Sequence, residues 1–430
     1  MTYSESIEYL YSRLPVFHRV GAKAIKPGLG NIIRLCQALG NPQEKLKYIH
    51  VGGTNGKGSS SHLLASVLQC AGYRTGLYTS PHLKSFTERI RINGVSIAEE
   101  RVAEFVKRHQ NLIEEIEPSF FEITLALAFD EFARQQVDIA VMEVGLGGRL
   151  DSTNIITPVV SLITNIGWDH ADVLGDTLEA IAFEKAGIIK PNVAAVISQR
   201  SSDTDFVFQQ SANEKGARLL FAEDVYRVVP ATGAPVLDTR RFEVWKQGEP
   251  WGEIESGLLG EYQQRNLGGV LATLDEIQMV YPVPREAILK GVREVVSLTG
   301  LKGRWQILQK EPMVICDTAH NEPGLSSVFS ALSRLSFSGL HIVVGFVKDK
   351  DLERVIALFP EEATYYFTQP RIPRALPVQE LAQVMAARGL AGSLYADVNE
   401  ALEAAVSRAG NNDCILVTGS TYLVAELNKL

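Results

Sequence analysis

The sequence has few cysteines and no long apolar run. Its four cysteines, Cys36, Cys70, Cys316 and Cys414, lie far apart and form no C-x-x-C pair. We therefore expect reduced thiols, not a disulfide framework. No stretch of about 18 uncharged apolar residues occurs, and the first residues lack the basic-then-apolar order of a signal peptide. These absences predict a cytoplasmic protein that is neither secreted nor membrane-spanning.

Positive charge is also in deficit, because 42 Lys and Arg against 50 Asp and Glu give a formal net charge of −8. This balance argues against a nucleic-acid or membrane partner. An anionic ligand must then be bound by local positive charge, a metal ion or backbone amides. The hydrophobic content of 46% and the charged content of 21% are typical of a globular protein. At roughly 150 residues per domain, 430 residues predict two or three domains.

The most informative motif is a glycine-rich turn within residues 48–60, between an apolar strand and a helix. The strand Tyr48–Val51 leads into a turn whose glycines let backbone N–H groups surround phosphate oxygens. Lys57 adds a positive charge to this turn. Ser59 or Ser60 is expected to begin the following helix, where a hydroxyl can reach a phosphate-bound Mg²⁺.

The turn matches a variant of the P-loop pattern. Val51 stands where the first glycine of the strict pattern belongs, and Gly58 separates the lysine from the serine. A merely flexible turn is the alternative, but the lysine and both flanking elements are in place. The residues predicted to bind the phosphates of ATP are Gly53, Thr54, Asn55, Gly56, Lys57, Gly58 and Ser59.

Strand-like runs alternate with helical periods through the first half, which indicates an α/β fold with a doubly wound, mainly parallel sheet of the P-loop type. The expected strands are Tyr48–Val51, Gly76–Thr79, Asp138–Val144, Val159–Ile166 and Ala194–Ser198. Between Asp203 and Gly257 the pattern weakens, and pieces such as Arg241–Trp245 predict a small antiparallel extension or a long surface connection. Residues Asn266–Val280 return to a helical period.

A second βα series begins near Met313 and predicts a C-terminal Rossmann-like α/β domain. Its expected strands are Met313–Cys316, His341–Phe346, Thr364–Phe367, Ser393–Ala396 and Cys414–Thr418. The helical pattern breaks within Ser297–Gly303. We therefore predict an ATP-binding domain over residues 1–296 and a second domain over residues 297–430.

Polar side chains follow two strands of the first sheet. Glu143 ends a buried strand and precedes a glycine-rich loop, where a Mg²⁺ ligand is expected, although a salt bridge to Arg149 is an alternative. His170 follows the next strand, and a lone histidine is more often structural than a metal ligand. Lys185 lies in the last turn of a capped helix, where a lysine usually only offsets the helix dipole.

These blocks together resemble the folylpolyglutamate synthase and dihydrofolate synthase family of the Mur ligase superfamily. The resemblance spans nearly the whole chain, in six ordered segments: Gly53-Thr-Asn-Gly-Lys-Gly-Ser59, Thr79-Ser-Pro-His-Leu83, Glu143-Val-Gly-Leu-Gly-Gly-Arg-Leu-Asp151, Trp168-Asp-His170, Glu184-Lys-Ala-Gly187 and Asp317-Thr-Ala-His-Asn321. It implies two bound Mg²⁺ ions and a lysine that is carbamylated by CO₂. The matching lysine in this chain is Lys185. A free lysine, with a pKa of about 10.4, would be a cation and repel Mg²⁺.

The resemblance also implies roles for single residues. Ser80 and Glu143, with Ser59, would bind the Mg²⁺ of ATP, and Glu143, His170 and carbamylated Lys185 would bind the second ion. The segment Gly260-Glu-Tyr-Gln-Gln-Arg-Asn266 resembles the family's nucleotide motif, with Tyr262 in place of its usual histidine. By the same resemblance, Gln263 and Asn266 would contact the nucleotide, and Arg304 its phosphates, with a surface charge of the linker as the alternative for Arg304. Asp317 and His320 would reach the ribose and the reacting phosphate, and His320 and Ser420 are candidates for binding the incoming glutamate. Phe17, Pro81 and Phe86 would lie near the pterin.

By this resemblance the chain is an ATP-dependent ligase that adds L-glutamate to dihydropteroate, to folates or to both, through an acyl phosphate. Two other functions remain open, a Mur-type ligase of cell-wall precursors and a P-loop NTPase switch. Only some 47 residues precede the phosphate loop, which argues against a UDP-binding domain of about 100 residues. We expect a monomer, because no heptad pattern or long apolar helical stripe calls for a partner.

Overall fold

The chain divides into two compact units in a computed structural model. The residues described are 1–15, 21, 28–231, 238–348 and 352–430. Unit 1 comprises Met1–Gly257 and Gln263–Leu301, and unit 2 comprises Leu258–Tyr262 and Lys302–Leu430. The short segment Leu258–Tyr262 therefore belongs to unit 2, although its neighbours on both sides belong to unit 1. The boundary between residues 296 and 297 stays a prediction.

Unit 1 is built on two sheets. Its strands are β1 (Tyr48–Gly52), β2 (Thr75–Tyr78), β3 (Ile90–Ile92), β4 (Val95–Ser96), β5 (Ile139–Glu143), β6 (Val160–Ile163), β7 (Ala194–Ile197), β8 (Leu219–Phe221), β9 (Tyr226–Pro230), β10 (Arg240–Lys246) and β11 (Glu249–Ser256). The larger sheet has the order β4-β3-β2-β5-β1-β6-β7-β8. In this order the neighbouring strands β2, β5, β1, β6, β7 and β8 pair in parallel, whereas β3 and β4 pair antiparallel at one edge.

The smaller sheet of unit 1 has the order β11-β10-β9 and is antiparallel. It confirms the predicted extension around Arg241–Trp245. Each predicted strand of the first half overlaps an observed one, so the mainly parallel sheet is confirmed. The pattern missed β3, β4 and β8, which are strands of two or three residues at the sheet edges or next to one.

Helices cover the large sheet. In unit 1 they are α1 (Tyr3–Arg13), α2 (Gly30–Ala38), α3 (Lys57–Cys70), α4 (Glu99–Arg108), α5 (Gln110–Ile116), α6 (Phe120–Arg134), α7 (Ala171–Leu174), α8 (Leu178–Ala186), α9 (Asp205–Glu214), α10 (Ala222–Val225), α11 (Gln263–Ile277), α12 (Arg285–Arg293) and α13 (Val295–Thr299). Helix α3 is buried along most of its length, because Leu63, Leu64, Val67 and Leu68 are fully enclosed. The first turn after β1 is thus held on a rigid core.

Unit 2 is a second α/β layer structure. Its strands are β12 (Gln306–Lys310), β13 (Met313–Cys316), β14 (Leu340–Val344), β15 (Thr364–Phe367), β16 (Gly392–Leu394) and β17 (Cys414–Thr418), and its helices are α14 (Glu322–Leu332), α15 (Leu352–Ile356), α16 (Val378–Ala386), α17 (Val398–Arg408) and α18 (Thr421–Ala425). The sheet order is β12-β13-β17-β14-β15-β16. In this order the neighbouring strands β13, β17, β14, β15 and β16 pair in parallel, as predicted. Strand β12 pairs antiparallel with β13, and the sequence pattern did not predict it.

The register of the large sheet brings the sequence motifs to one edge. Val51 pairs with Glu143, and Gly52 pairs with Ile163. Because parallel strands end at the same edge, the loops after β1, β2, β5 and β6 share one side of the sheet. Within the described ranges, none of the helices combines the length and hydrophobicity that crossing a bilayer requires.

Candidate active site

The phosphate loop follows β1, and its lysine folds back over it. The side-chain Nζ of Lys57 donates hydrogen bonds to the backbone oxygens of Gly53 and Thr54, both at 3.0 Å. Helix α3 begins at Lys57, with Gly56 as its N-cap. The prediction that Ser59 or Ser60 begins the helix is therefore wrong by two or three residues. The helix starts earlier because Gly56, at φ 84°, turns the chain directly into it.

The end of β6 supports this loop from one side. Thr164 Oγ1 donates to the backbone oxygen of Asn55 at 2.6 Å, and the amide of Asn55 donates to Asn165 Oδ1 at 2.9 Å. The amide of Thr54 donates to the backbone oxygen of Asn165 at 2.9 Å. Thr164 and Asn165 thus hold the loop in shape. The sequence shows them as polar residues at a strand end, and only the β1–β6 register reveals their role.

Gly53 is required where the loop passes Thr164. Its φ is 137°, and a Cβ there would lie 1.9 Å from Thr164 Oγ1. We expect Gly53→Ala to destabilise this loop conformation by about 1–3 kcal/mol and to raise the KM for ATP about tenfold or more. Steady-state kinetics measure the change. Gly72→Ala is the control, because Gly72 also has a positive φ of 92° but no atom within 4 Å of the added Cβ. An equal KM in the two variants would contradict the prediction.

Ser80 and Glu143 meet beside the loop. The amide of Ser80 donates to Glu143 Oε2 at 2.9 Å, and Glu143 is buried. Ser80 follows β2 and Glu143 ends β5, and these strands are paired neighbours. The structure therefore brings together two residues that were predicted to bind the Mg²⁺ of ATP. A single carboxylate with a hydroxyl suits Mg²⁺, which keeps several waters and phosphate oxygens as ligands.

Lys185 reaches the same loop from helix α8. Its Nζ donates to the backbone oxygen of Gly53 at 2.9 Å, and the residue is only 4% exposed. Burial, together with the nearby charge of Lys57, lowers the pKa of Lys185 from 10.5 to about 7. A substantial share of this amine is therefore neutral near pH 7 and can act as a nucleophile.

His170 is placed at the start of helix α7, after β6. It has a left-handed φ of 56°, and its amide donates to Asp169 Oδ1 at 3.1 Å. Across the described part of the chain, no group of three or more His, Cys, Asp and Glu side chains is positioned to hold a metal ion. The predicted second site contains two such residues, Glu143 and His170, and its third ligand, carbamylated Lys185, stays a prediction.

Gln263 and Asn266 lie at the start of helix α11 and support the phosphate loop. Gln263 is fully buried, and its Nε2 donates to Ser59 Oγ at 3.2 Å. Asn266 Nδ2 donates to Gln263 Oε1 at 2.6 Å, and Asn266 Oδ1 lies close against Gly56. Their contact with ATP stays a prediction. In this structure both side chains bind the loop and each other.

Asp317 and Arg304 lie at the carboxyl edge of the sheet in unit 2. Asp317 is buried and accepts hydrogen bonds from the Tyr262 hydroxyl at 2.7 Å and from the amides of Trp305 and Ala319 at 2.8 Å. Burial raises the pKa of the Asp317 carboxyl, although these donors oppose the shift. Arg304 donates to Thr318 Oγ1 and to the backbone oxygen of Gly303. The sequence showed Tyr262 only as a departure from the histidine of the family motif, and it did not predict the hydrogen bond from Tyr262 to Asp317.

His320 and Ser420 lie at the same edge of unit 2. His320 is half-buried, and its Nδ1 contacts the backbone oxygen of Thr318 at 2.9 Å. Ser420 is buried and caps helix α18, because its Oγ accepts from the amide of Tyr422 at 3.1 Å. The cap accounts for Ser420 structurally. Its contact with glutamate stays a prediction.

The residues predicted to contact the pterin are only partly accessible. Pro81 is exposed, whereas the Phe86 ring is 3% exposed and packs edge-on against Phe120. Phe86 therefore has no open face for stacking in this structure, which corrects that expectation. It is buried because the capped turn Phe86–Arg89 directs the ring into the core. Phe17 lies outside the described residues.

Arg89 is a buried cation that the sequence analysis did not identify. Its Nε donates to His82 Nδ1 at 2.8 Å, and its guanidinium lies 5.3 Å from the centre of the Phe120 ring. The backbone oxygen of Arg89 accepts from the amide of Thr79 at 3.0 Å, next to Ser80. The guanidinium is thus enclosed between His82 and Phe120, and Arg89 is 6% exposed. Its place in the segment before β3 gave no sign of this.

Two family descriptions match the chain. The Mur ligase middle domain matches residues 51–274, and the glutamate ligase domain of Mur ligases matches residues 303–421. The dihydrofolate synthase/folylpolyglutamate synthase of Bacillus subtilis is 31% identical over 438 residues, covering 99% of this chain and 98% of that protein. The folylpolyglutamate synthase of Lacticaseibacillus casei is 33% identical and covers 100% and 98%.

Solved structures of similar proteins share the fold. The FolC protein of Escherichia coli in complex with DHPP and ADP superposes with a TM-score of 0.84 at 28% identity, covering 99% of this chain and 96% of that one. A bifunctional folylpolyglutamate synthase/dihydrofolate synthase with Mn, AMPPNP and L-glutamate bound has a TM-score of 0.84 at 27% identity, covering 99% and 97%. Nucleotide, metal and glutamate are therefore bound by proteins of this architecture.

Proposed function

The chain belongs to the folylpolyglutamate synthase/dihydrofolate synthase family of Mur ligases, and we propose that it adds L-glutamate both to dihydropteroate and to the γ-carboxylate of folates. It is an ATP-dependent ligase of folate metabolism. The observation that carries the proposal is the convergence of Lys57 and Lys185 on the backbone oxygen of Gly53, beside the loop ends that bear Ser80 and Glu143. A phosphate loop, a buried acid and a buried amine are thus assembled at one sheet edge.

The residues present fit a Mg²⁺ ion bound with ATP. Ser80 and Glu143 would hold it, with Ser59 from the first turn of α3. Mg²⁺ there supplies positive charge to the phosphates and orients them. The second ion would take Glu143, His170 and Lys185, and the donor set fits only if Lys185 carries an anionic oxygen. A charged ammonium in that position would repel the ion.

The chain's own groups explain how the carboxylate is activated. Backbone amides of the loop and the ammonium of Lys57 stabilise negative charge on the terminal phosphate of ATP as the substrate carboxylate attacks it. Phosphoryl transfer gives an acyl phosphate and ADP. The amine of glutamate then attacks the acyl carbon, phosphate leaves, and the amide is formed.

Lys185 is proposed to be carbamylated. A neutral amine is needed to attack CO₂, and the lowered pKa of Lys185 provides it near pH 7. Carbamylation of the neutral amine releases one proton and would replace the amine by an anionic oxygen ligand for the second ion. Helix α8 fixes the side chain, because Thr177 caps it and Arg149 pairs with the neighbouring Glu184 at 2.8 Å.

Unit 2 is proposed to bind the incoming glutamate. The match of residues 303–421 to a glutamate ligase domain supports this, as do the polar residues His320 and Ser420 at the sheet edge. Asp317 and Arg304 are proposed to contact the nucleotide. The chain is further proposed to be a cytoplasmic monomer. Light scattering at the size-exclusion peak should then give a mass near 47.2 kDa.

Product mass spectrometry tests the function. The purified chain is incubated with ATP, Mg²⁺, glutamate and, in separate reactions, dihydropteroate, tetrahydrofolate or a UDP-linked cell-wall precursor. We expect one added glutamate on dihydropteroate and one or more on tetrahydrofolate, each with ADP release. Turnover of only one folate acceptor would contradict bifunctionality. Turnover of the UDP-linked acceptor alone, or ADP release independent of any acceptor, would contradict the folate assignment.

A further inference from the structure

Two consecutive side chains are held in different units. The peptide bond between Tyr262 and Gln263 is where the chain leaves unit 2 and re-enters unit 1. Tyr262 is bonded within unit 2, and Gln263 is bonded within unit 1. Neither side chain belongs to the catalytic groups derived above. One peptide bond thus joins a residue that hydrogen-bonds to Asp317 and a residue that hydrogen-bonds to Ser59.

The Tyr262 side is firmly anchored. Its hydroxyl donates to Asp317 Oδ2 at 2.7 Å, and burial together with the adjacent carboxylate raises the pKa of Tyr262, so the phenol stays a neutral donor. The ring packs in a cluster that contains Leu259, Trp305 and Ile315. Asp317 in turn fixes the amides of Trp305 and Ala319. The position of the Tyr262 hydroxyl therefore determines how the start of the loop after β13 is held.

The Gln263 side is anchored equally well. Its Nε2 donates to Ser59 Oγ, and its Oε1 accepts from Asn266, so both ends of the amide are used. Ser59 lies in the first turn of α3, directly after Lys57 and Gly58. Any ligand that takes over the Ser59 hydroxyl changes the acceptor available to Gln263.

We propose that Tyr262 is a positioning residue that couples the phosphate loop to the Asp317 loop through Gln263. The proposal rests on ATP being the nucleotide of the proposed function. Occupation of the phosphate loop then alters the hold of Gln263 on Ser59, and Tyr262 transfers the change to Asp317 and to the amides of Trp305 and Ala319. The coupling requires the Tyr262 hydroxyl, because the aromatic ring alone would keep its packing but would form no hydrogen bond to the Asp317 carboxylate.

Amide hydrogen exchange tests the coupling. Wild type, Tyr262→Phe and the control Tyr226→Phe are compared with and without AMPPNP. Tyr226 is matched, because its buried hydroxyl also donates to an aspartate, Asp275, at 2.7 Å. We expect AMPPNP to slow exchange in the phosphate loop of all three proteins. Exchange in peptides covering residues 303–306 and 317–321 should slow in wild type and Tyr226→Phe, and should slow less in Tyr262→Phe, where only the direct contacts of the nucleotide with Arg304 and Asp317 remain.

Kinetics give a second readout that a structural role alone would not produce. In Tyr262→Phe the Kd for AMPPNP should stay within about threefold of wild type, while kcat falls about tenfold or more. Exchange in residues 317–321 that AMPPNP slows as much in Tyr262→Phe as in wild type, or an unchanged kcat, would overturn the coupling. A wild type in which AMPPNP slows amide exchange only in the phosphate loop would also overturn the coupling. That measurement does not depend on any variant folding. The exchange result requires no product, so it remains decisive even if the folate assignment fails.

Discussion

Lys185→Ala is expected to lower kcat by about 10²- to 10³-fold, because it removes the group proposed to supply an anionic oxygen at the phosphate loop. The variant should fold, since the substitution removes a buried amine whose charged form is costly to desolvate. Its melting temperature should be at least that of wild type below pH 7, where the amine is protonated in the folded protein. Steady-state rates of ADP release and thermal unfolding measure the two effects.

The role of carbamylation predicts a dependence on pH and CO₂. The pKa of Lys185 is lowered to about 7, so the amine is mostly protonated below this pH and mostly neutral above it. Only the neutral amine attacks CO₂. In buffers depleted of CO₂, activity should therefore rise as the pH increases through 7, and added bicarbonate should raise it further. Activity independent of bicarbonate at every pH would contradict the carbamate.

A small carboxylate offers a sharper test of Lys185. Acetate or propionate can place an anionic oxygen in the space vacated in Lys185→Ala, so they should restore part of the activity. They should not restore Lys185→Arg, whose side chain is always a cation. Lys190→Ala is the matched control, because Lys190 Nζ also donates to a backbone oxygen, that of Asn154 at 2.7 Å. Its kcat should stay within about threefold of wild type, and an equal loss in both variants would indicate a structural role.

Most of the fold could be predicted because its central strands are long enough to show an apolar run. Buried residues such as Tyr48, Ile49 and Val51 on β1 produce that signal directly. The edge strands could not be predicted in the same way. β12 is half-exposed, and β4 has only two residues, so neither leaves a periodic pattern. Their pairing comes from contact with a neighbouring strand, which is a tertiary effect.

The residues of the candidate site likewise fall into those that a local motif predicts and those that only the fold brings together. Lys57, Glu143 and Lys185 could be named from motifs, because their chemistry is tied to glycine loops and strand ends. The hold of Thr164 on Asn55 and of Tyr262 on Asp317 joins residues far apart in sequence. No local pattern marks such pairs.

Burial is the other quantity that the sequence did not provide. The motif that contains Gln263 resembles a nucleotide contact, yet Gln263 is fully enclosed beneath Ser59. An aromatic at position 86 suggested stacking, but the turn that precedes β3 directs Phe86 inward against Phe120. In both cases the residue type indicated one possible contact, and packing around it decided which contact is made.

Glu143→Gln is expected to lower kcat by about 10²- to 10³-fold while leaving the fold intact. The amide oxygen of glutamine can still accept the hydrogen bond that Ser80 donates to Glu143 Oε2 at 2.9 Å. What is lost is the negative charge, on which both predicted Mg²⁺ sites depend. Binding of Mn²⁺, followed by electron paramagnetic resonance in the presence of AMPPNP, should weaken in parallel with kcat.

Glu122→Gln is the matched control for this substitution. Glu122 is likewise a buried glutamate that accepts a backbone amide, that of Ser119 at 2.6 Å, but it does so in the capping box of helix α6. Its kcat and Mn²⁺ affinity should stay within about threefold of wild type. If the two variants lost equal activity with Mn²⁺ binding unchanged, the loss would come from altering a buried glutamate in general, and the metal-ligand role of Glu143 would be contradicted. A selective loss in Glu143→Gln, with an unchanged melting temperature, instead assigns the effect to charge, because the hydrogen-bond acceptor is present in both glutamines.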